Sequence, residues 1–249
     1  MPSDWIDELR ADRIDQALDN LRLQLQSPSL FPSNYYSLGA VYMWSGDYKS
    51  ALAHFDEQIQ AGLPRNPVSD AAFAMAGAAA WCLGNEQLAV KYWREGTTAA
   101  FAVAGANTRT SLLLYAASVL RQDAFSRKAA DELLRERASQ WRVENWPGPI
   151  AQYIVGTASE EKVRQKAVSG NIDETDPNPN SWQFHFYKLL KTSVSAADGI
   201  HALESGLQHL LNVKGSEYLD GEKFFYFLRL EEFYIARDWT SKISGRRLT

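Results

Sequence analysis

Apolar side chains recur at helical spacing over residues 33–45, 48–61, 71–83 and 86–96. No stretch of convincing length alternates apolar and polar residues as a half-buried strand does. Gly46-Asp47 separates the first two runs and Gly84-Asn85 the second two. Glycine ends a helix cheaply in the left-handed conformation, and Asp or Asn caps the helix that follows. The pattern therefore predicts two helical hairpins.

The hairpins are copies of one unit. Gly39, Gly46, Ala51 and Phe55 share their offsets with Gly77, Gly84, Ala89 and Trp93. The offsets recur at Ala117, Ala124, Ala129 and Leu133, and in a first copy at Trp5, Asp12, Ala17 and Leu21. The turn positions Asp12, Gly46, Gly84 and Ala124 are 34, 38 and 40 residues apart. A glycine inside a helix costs roughly 0.5–1 kcal/mol relative to alanine. Gly39 and Gly77 are expected to offset that by letting the partner helix approach at Ala51 or Ala89. Phe55 or Trp93 then fills the wedge toward the neighbouring hairpin.

On these residues the chain resembles the tetratricopeptide repeat (TPR) family over roughly residues 4–138, most closely at 32–63 and 70–97. Tyr35, Leu38, Gly39, Tyr42, Gly46, Tyr48, Ala51 and Phe55 stand at the family's packing positions, and Pro64 where a repeat usually closes. The chain departs from the family in its stretched spacing, its alanine-heavy second repeat and the missing glycines of the third. The resemblance implies an all-α, TPR-like α-hairpin repeat array, a right-handed superhelical solenoid, whose first helices line a concave face. The positions carried over are Ser33, Tyr36, Ala40, Met43 and Trp44, then Ala71, Ala74, Ala78, Trp81 and Cys82, then Ser111, Leu114, Ser118, Arg121 and Gln122. Of these, Tyr36, Met43, Trp44, Ala78, Trp81, Leu114 and Arg121 are the candidate partner-binding residues, because aromatics and arginine are favoured at binding hot spots. A second reading stands beside this one. Residues 181–238 carry enough apolar surface to fold back and fill the groove.

A boundary falls near residue 140, where Trp146-Pro147-Gly148-Pro149 breaks any helix. The expected organisation is hairpins over 1–140, a Pro/Gly-marked connector over 141–180, and diverged helical hairpins over 181–249. Within the connector, a short helix over 150–155 ends at Gly156, and Thr157 with Glu160 reads as the capping box of a helix over 158–168. The segment WPGPIAQYIVGTASEEKV is similar to the connector of bacterial TPR proteins of the outer-membrane-lipoprotein type. The lipoprotein signal is lacking, so membrane attachment is not carried over. Further helices are predicted over 181–191, 196–213 and 222–238, with SKISGRRLT as a frayed end. Phe224, Phe227, Leu230 and Tyr234 form the core stripe of the last helix, leaving Phe225, Tyr226 and Phe233 off it.

Charge and chemistry narrow the function. The net charge of −4 in 249 residues gives no broad electrostatic case for nucleic acid or anionic membrane. One cysteine, Cys82, forms no internal disulfide and sits at the helix end that does not activate a thiol. With no secretory signal and no span of about 18 apolar residues, the expectation is a cytoplasmic protein. His54, His185, His201 and His209 follow no metal-ligand spacing and read as surface or edge residues. The acidic pairs Asp131-Glu132, Glu160-Glu161 and Glu231-Glu232 read as solvated faces, since adjacent acids on a helix point apart. No cofactor or metal is expected.

The expected function is a non-enzymatic protein–protein interaction module that binds another polypeptide. Acidity, size and the lack of chemistry suit a bacterial adaptor or an inhibitor, such as an immunity protein neutralising a toxin. The alternatives are a secretion chaperone, and an all-helical enzyme or ligand sensor with Arg121, His185 and Asp198 between its N- and C-terminal helices.

Overall fold

The computed structural model describes residues 5–26, 33–60, 69–99, 108–140, 142–167, 179–196, 198–212 and 230–246. Among them there are thirteen helices and no strand. Four hairpins come first: α1 (Trp5–Arg10) with α2 (Ile14–Leu25), α3 (Ser33–Ser45) with α4 (Tyr48–Gln60), α5 (Asp70–Cys82) with α6 (Glu86–Gly96), and α7 (Thr108–Leu120) with α8 (Ala124–Ala138). The short α9 (Gly148–Ile154) and α10 (Glu160–Ala167) follow, then α11 (Pro179–Ser195), α12 (Gly199–Asn212) and α13 (Glu231–Arg246).

The turns obey the local chemistry. Asp12, Gly46 and Gly84 have φ of 58°, 81° and 77°. The fourth left-handed residue is Gln122, at φ 55°, and not the expected Ala124. Asp47 accepts from the Ser50 amide at 3.1 Å, Asn85 from Leu88 at 3.1 Å, and Asp123 from Phe125 and Ser126 at 3.1 and 3.0 Å. The fourth turn therefore falls two residues earlier than the repeat spacing predicts, whereas the buried positions of α8 fall one residue later. Ala130 and Leu134 are buried there, while Ala129, expected inside, is exposed. The α10 cap is also corrected: the Lys162 amide bonds Ser159 at 3.2 Å, whereas Thr157 donates back to the Gln152 carbonyl.

The helical glycines have a different neighbour from the one expected. A Cβ on Gly39 would stand 2.5 Å from the Phe55 ring, and one on Gly77 would overlap the Trp93 indole. Each glycine thus makes room for the large ring on the second helix of its own hairpin rather than for the alanine. The tip of the Phe55 ring and the pyrrole edge of Trp93 point into the space that the missing side chain leaves. Trp93 then donates to the Ala74 carbonyl at 3.0 Å, so its polar edge is satisfied inside the core.

Consecutive helices pack as neighbours from α1 to α9, and α3, α5, α7 and α9 also touch one another in turn. They form an inner layer, with α4, α6 and α8 outside. Eleven of thirteen residues are buried in each of α5 and α7. A helix that is apolar all round needs cover on every side. Here α4, α6 and α8 supply one side, and the C-terminal helices the other: α13 packs on α5, and α11 packs on α7 and α9. One continuous core runs from Trp5 to Trp239.

The last helix begins and ends later than the sequence pattern suggests. It runs from Glu231 to Arg246, so most of the segment expected to fray is helical. Leu230 and Tyr234 are buried as predicted. Phe224, Phe225, Tyr226, Phe227 and Pro64 lie outside the described residues. No described helix is long and apolar enough to cross a membrane.

Candidate functional site

The inner face is built from α3, α5 and α7, and α13 lies along it. Its contacts reach all three. Arg237 donates to the Tyr48 hydroxyl at 2.8 Å and to the Met43 carbonyl at 3.4 Å. The Cys82 thiol donates to the Tyr234 carbonyl at 3.7 Å. The Trp239 indole donates to the Leu120 carbonyl at 3.3 Å, and Arg109 pairs with Glu231 at 3.0 Å.

The seven residues singled out for partner binding are distributed along this occupied face. Met43 and Ala78 are fully buried, Trp81 is 2 % exposed and Tyr36 is buried against the Phe55 ring edge. Trp44 is half-buried and stacks on Phe233 at 6.2 Å between ring centres. Phe233, expected off the core stripe, is thereby part of the α13 seam. Leu114 is half-buried in the core. Arg121 is exposed and pairs with Glu86 at 3.2 Å.

A cleft of about 310 Å³ remains where α13 leaves the groove. Trp81 and Leu120 form its array side, and Ile200, Trp239 and Ile243 the opposite side. Two ion pairs rim it, Arg121 with Glu86 and Lys242 with Asp238 at 2.6 Å. Burial holds the Asp238 carboxyl above its ordinary range, against the pull of Lys242. The Arg121–Glu86 pair ties together the two hairpin turns beside the cleft. Those turns carry Leu83, 46 % exposed, and Phe125, 86 % exposed.

Cys82 is not poised as a nucleophile. Burial, then the nearby Asp238 charge, pushes its thiol up to about 12, so it stays protonated at neutral pH. His201 and His209 are exposed, and His185 spends its Nδ1 on the Ser181 carbonyl of its own helix at 2.7 Å. Asp198 is exposed as well. Among the described residues, no group of three or more His, Cys, Asp or Glu is placed to hold a metal ion.

The sequence reading missed one cluster. Glu231 and Glu232, expected on a solvated face, are 1 % and 0 % exposed. Glu232 accepts from the Tyr187 hydroxyl and the Gln183 amide, both at 2.8 Å, and Gln183 in turn accepts from the Trp146 indole at 2.6 Å. The Arg109 guanidinium stays charged. Burial opposes it, and the fields of Glu231, Tyr36, Asp70 and Glu232 more than offset that cost. Burial pushes the Glu231 carboxyl up to about 7, with Glu232 adding to the rise and Arg109 opposing it. Two signals pointed here. Arg109 is the one charged residue between Thr108 and Leu120, and the two glutamates break an aromatic run that repeats at helical spacing.

No protein-family model matches the chain, and neither a curated protein nor a solved structure matches it.

Proposed function

We propose that this chain is a TPR-like, non-enzymatic module of the cytoplasm that binds another polypeptide at the ends of its hairpins. The observation that carries this reading is the pair of apolar side chains, Phe125 and Leu83, presented on capped turns beside the cleft. A phenyl ring 86 % exposed costs solvation until something covers it. The Arg121–Glu86 pair and the Asp123 cap hold that ring on a defined backbone, which lowers the ordering cost of docking. Since α13 packs along the inner face, this reading puts the docking surface at the turn edge rather than in the groove. Within this class the specific reading is an inhibitor of the immunity-protein kind, with adaptor and secretion chaperone beside it.

The test compares wild type with an Arg121→Glu, Phe125→Asp variant. Both positions are exposed, so the fold is expected to survive. A partner recovered from the native host by cross-linking, then purified, should bind the variant at least about tenfold more weakly, as for loss of a binding hot spot. Equal affinity for both proteins sinks the turn-edge reading.

A second reading has the cleft itself in its favour. Its volume of about 310 Å³ falls at the lower end of small-molecule sites, and Arg121 stands on its rim. A ligand sensor or enzyme at the seam predicts that a metabolite panel raises the thermal midpoint of wild type but not of Trp239→Ala.

A further inference from the structure

The cleft at the seam is lined by polar groups that the fold leaves open. Each of its sides brings one acid and one base to the lining: Glu86 and Arg121 from the array, Asp238 and Lys242 from α13. Arg121 comes nearest to Glu86 at Nε, 3.2 Å away, and its two terminal nitrogens donate no hydrogen bond among the described residues. That planar fork is the geometry that holds a carboxylate by two parallel bonds. On the other side Lys242 donates to Oδ2 of Asp238, while Oδ1 accepts nothing among the described residues. Glu86 and Asp238 also feel each other: the Glu86 charge adds to the burial that holds the Asp238 carboxyl above its ordinary range. Two acids in that relation favour a cation between them.

The rest of the lining is unfinished in the same way. Gln122, left-handed at φ 55°, lines the cleft with a side-chain amide that hydrogen-bonds nothing among the described residues. The indole N–H of Trp81 is buried without a partner, whereas those of Trp93 and Trp239 each reach a carbonyl. Buried polar groups left unpaired call for an explanation of their own.

Size and charge select the ligand. About 310 Å³ suits a molecule the size of one amino acid rather than a nucleotide cofactor. A carboxylate alone meets Arg121 but adds a negative charge beside Glu86 and Asp238. An amine alone meets the two acids but adds a positive charge beside Arg121 and Lys242. A molecule with both groups meets an opposite charge at each end. Its apolar part then lies against Trp81, Leu120, Ile200 and Trp239.

We propose that the cleft binds a free α-amino acid with a large apolar side chain, its carboxylate on the Arg121 fork and its ammonium group at Asp238 and Glu86. This rests on the reading of the cleft as a ligand site and is independent of docking at the turn edge.

Calorimetric titration of the full chain tests it. The probes are L-phenylalanine, L-leucine, and two analogues of phenylalanine: 3-phenylpropanoate, which lacks the amine, and phenethylamine, which lacks the carboxylate. Phenylalanine should bind at least about tenfold more tightly than either analogue. Arg121→Gln should weaken phenylalanine and phenylpropanoate but not phenethylamine. Asp238→Asn should weaken phenylalanine and phenethylamine but not phenylpropanoate, and Glu86→Gln, on the exposed rim, should repeat that pattern should Asp238→Asn fold poorly. A damaged fold weakens all probes alike, so the crossed pattern reports recognition. An analogue that binds as tightly as phenylalanine overturns the amino-acid assignment and leaves the ligand-site reading standing. Absence of binding by both amino acids at millimolar concentration overturns it too, and the metabolite panel then decides the ligand-site reading on its own.

Discussion

The α5–α6 hairpin and helix α13 are both buried, yet they are held by opposite means. The hairpin is closed by shape: a glycine leaves space, an indole fills it, and one neutral hydrogen bond spans 19 residues. Helix α13 is closed by charge and polar contacts over far greater separations: 122 residues for Arg109–Glu231, 119 for Trp239–Leu120, and 194 for Arg237–Met43. Shape fitting within a hairpin is insensitive to pH and forms early, because its loops are short. Docking of α13 draws on an ion pair and long-range polar contacts, and so on an array that brings distant residues together.

Three substitutions sharpen that contrast. Trp93→Ala empties the space over Gly77 and removes the indole's hydrogen bond to the Ala74 carbonyl. It should cost about 4 kcal/mol in urea unfolding, with no dependence on pH between 5.5 and 8. Arg109→Met should cost about 3 kcal/mol at pH 8, because Glu231 and Glu232 lose their counter-charge in a dry site. At pH 5.5 the same substitution should cost clearly less, since a protonated Glu231 needs no counter-charge. An equal loss at both values would place the two regions under the same kind of control. Asp123→Ala should cost about 1 kcal/mol, the worth of a helix cap, and should leave amide hydrogen exchange in α13 unchanged. Measured thermal midpoints for that variant at the two pH values decide whether the turn edge and the α13 seam are energetically separate.

Much of the hairpin array was legible in the residues. Gly46-Asp47 and Gly84-Asn85 announced their turns, and the helices over 33–45 and 86–96 were read to the residue. These are local rules: cap chemistry and backbone handedness act within four or five positions. In the fourth hairpin only the turn lies two residues before its expected place, because Gln122, a residue with a Cβ, takes the left-handed conformation there. Tertiary packing overrode that preference, placing Leu134 rather than Leu133 inside.

The candidate site was harder to read. The composition of α5 and α7 already stated that these helices need cover on both sides, since DAAFAMAGAAAWC and TRTSLLLYAASVL offer no polar face to a groove. It did not state what covers them. An internal helix and a partner helix present the same apolar stripe, so periodicity alone leaves both open. Glu231 and Glu232 show the same limit from the polar side. Adjacent acids on a helix diverge, which is true of this pair, but here α7 meets one and α11 the other.

By itself, then, the sequence determined the helices, their turns and the repeat of one hairpin, because each follows from contacts within a few residues. Only the tertiary structure decided that α13 occupies the inner face, that Tyr36, Met43, Ala78 and Trp81 are core, and that Glu231 and Glu232 are buried, the first of them paired with Arg109. Those outcomes depend on which distant surfaces meet, and the free energy of a buried charge is set by the neighbours that surround it rather than by its own place in the chain.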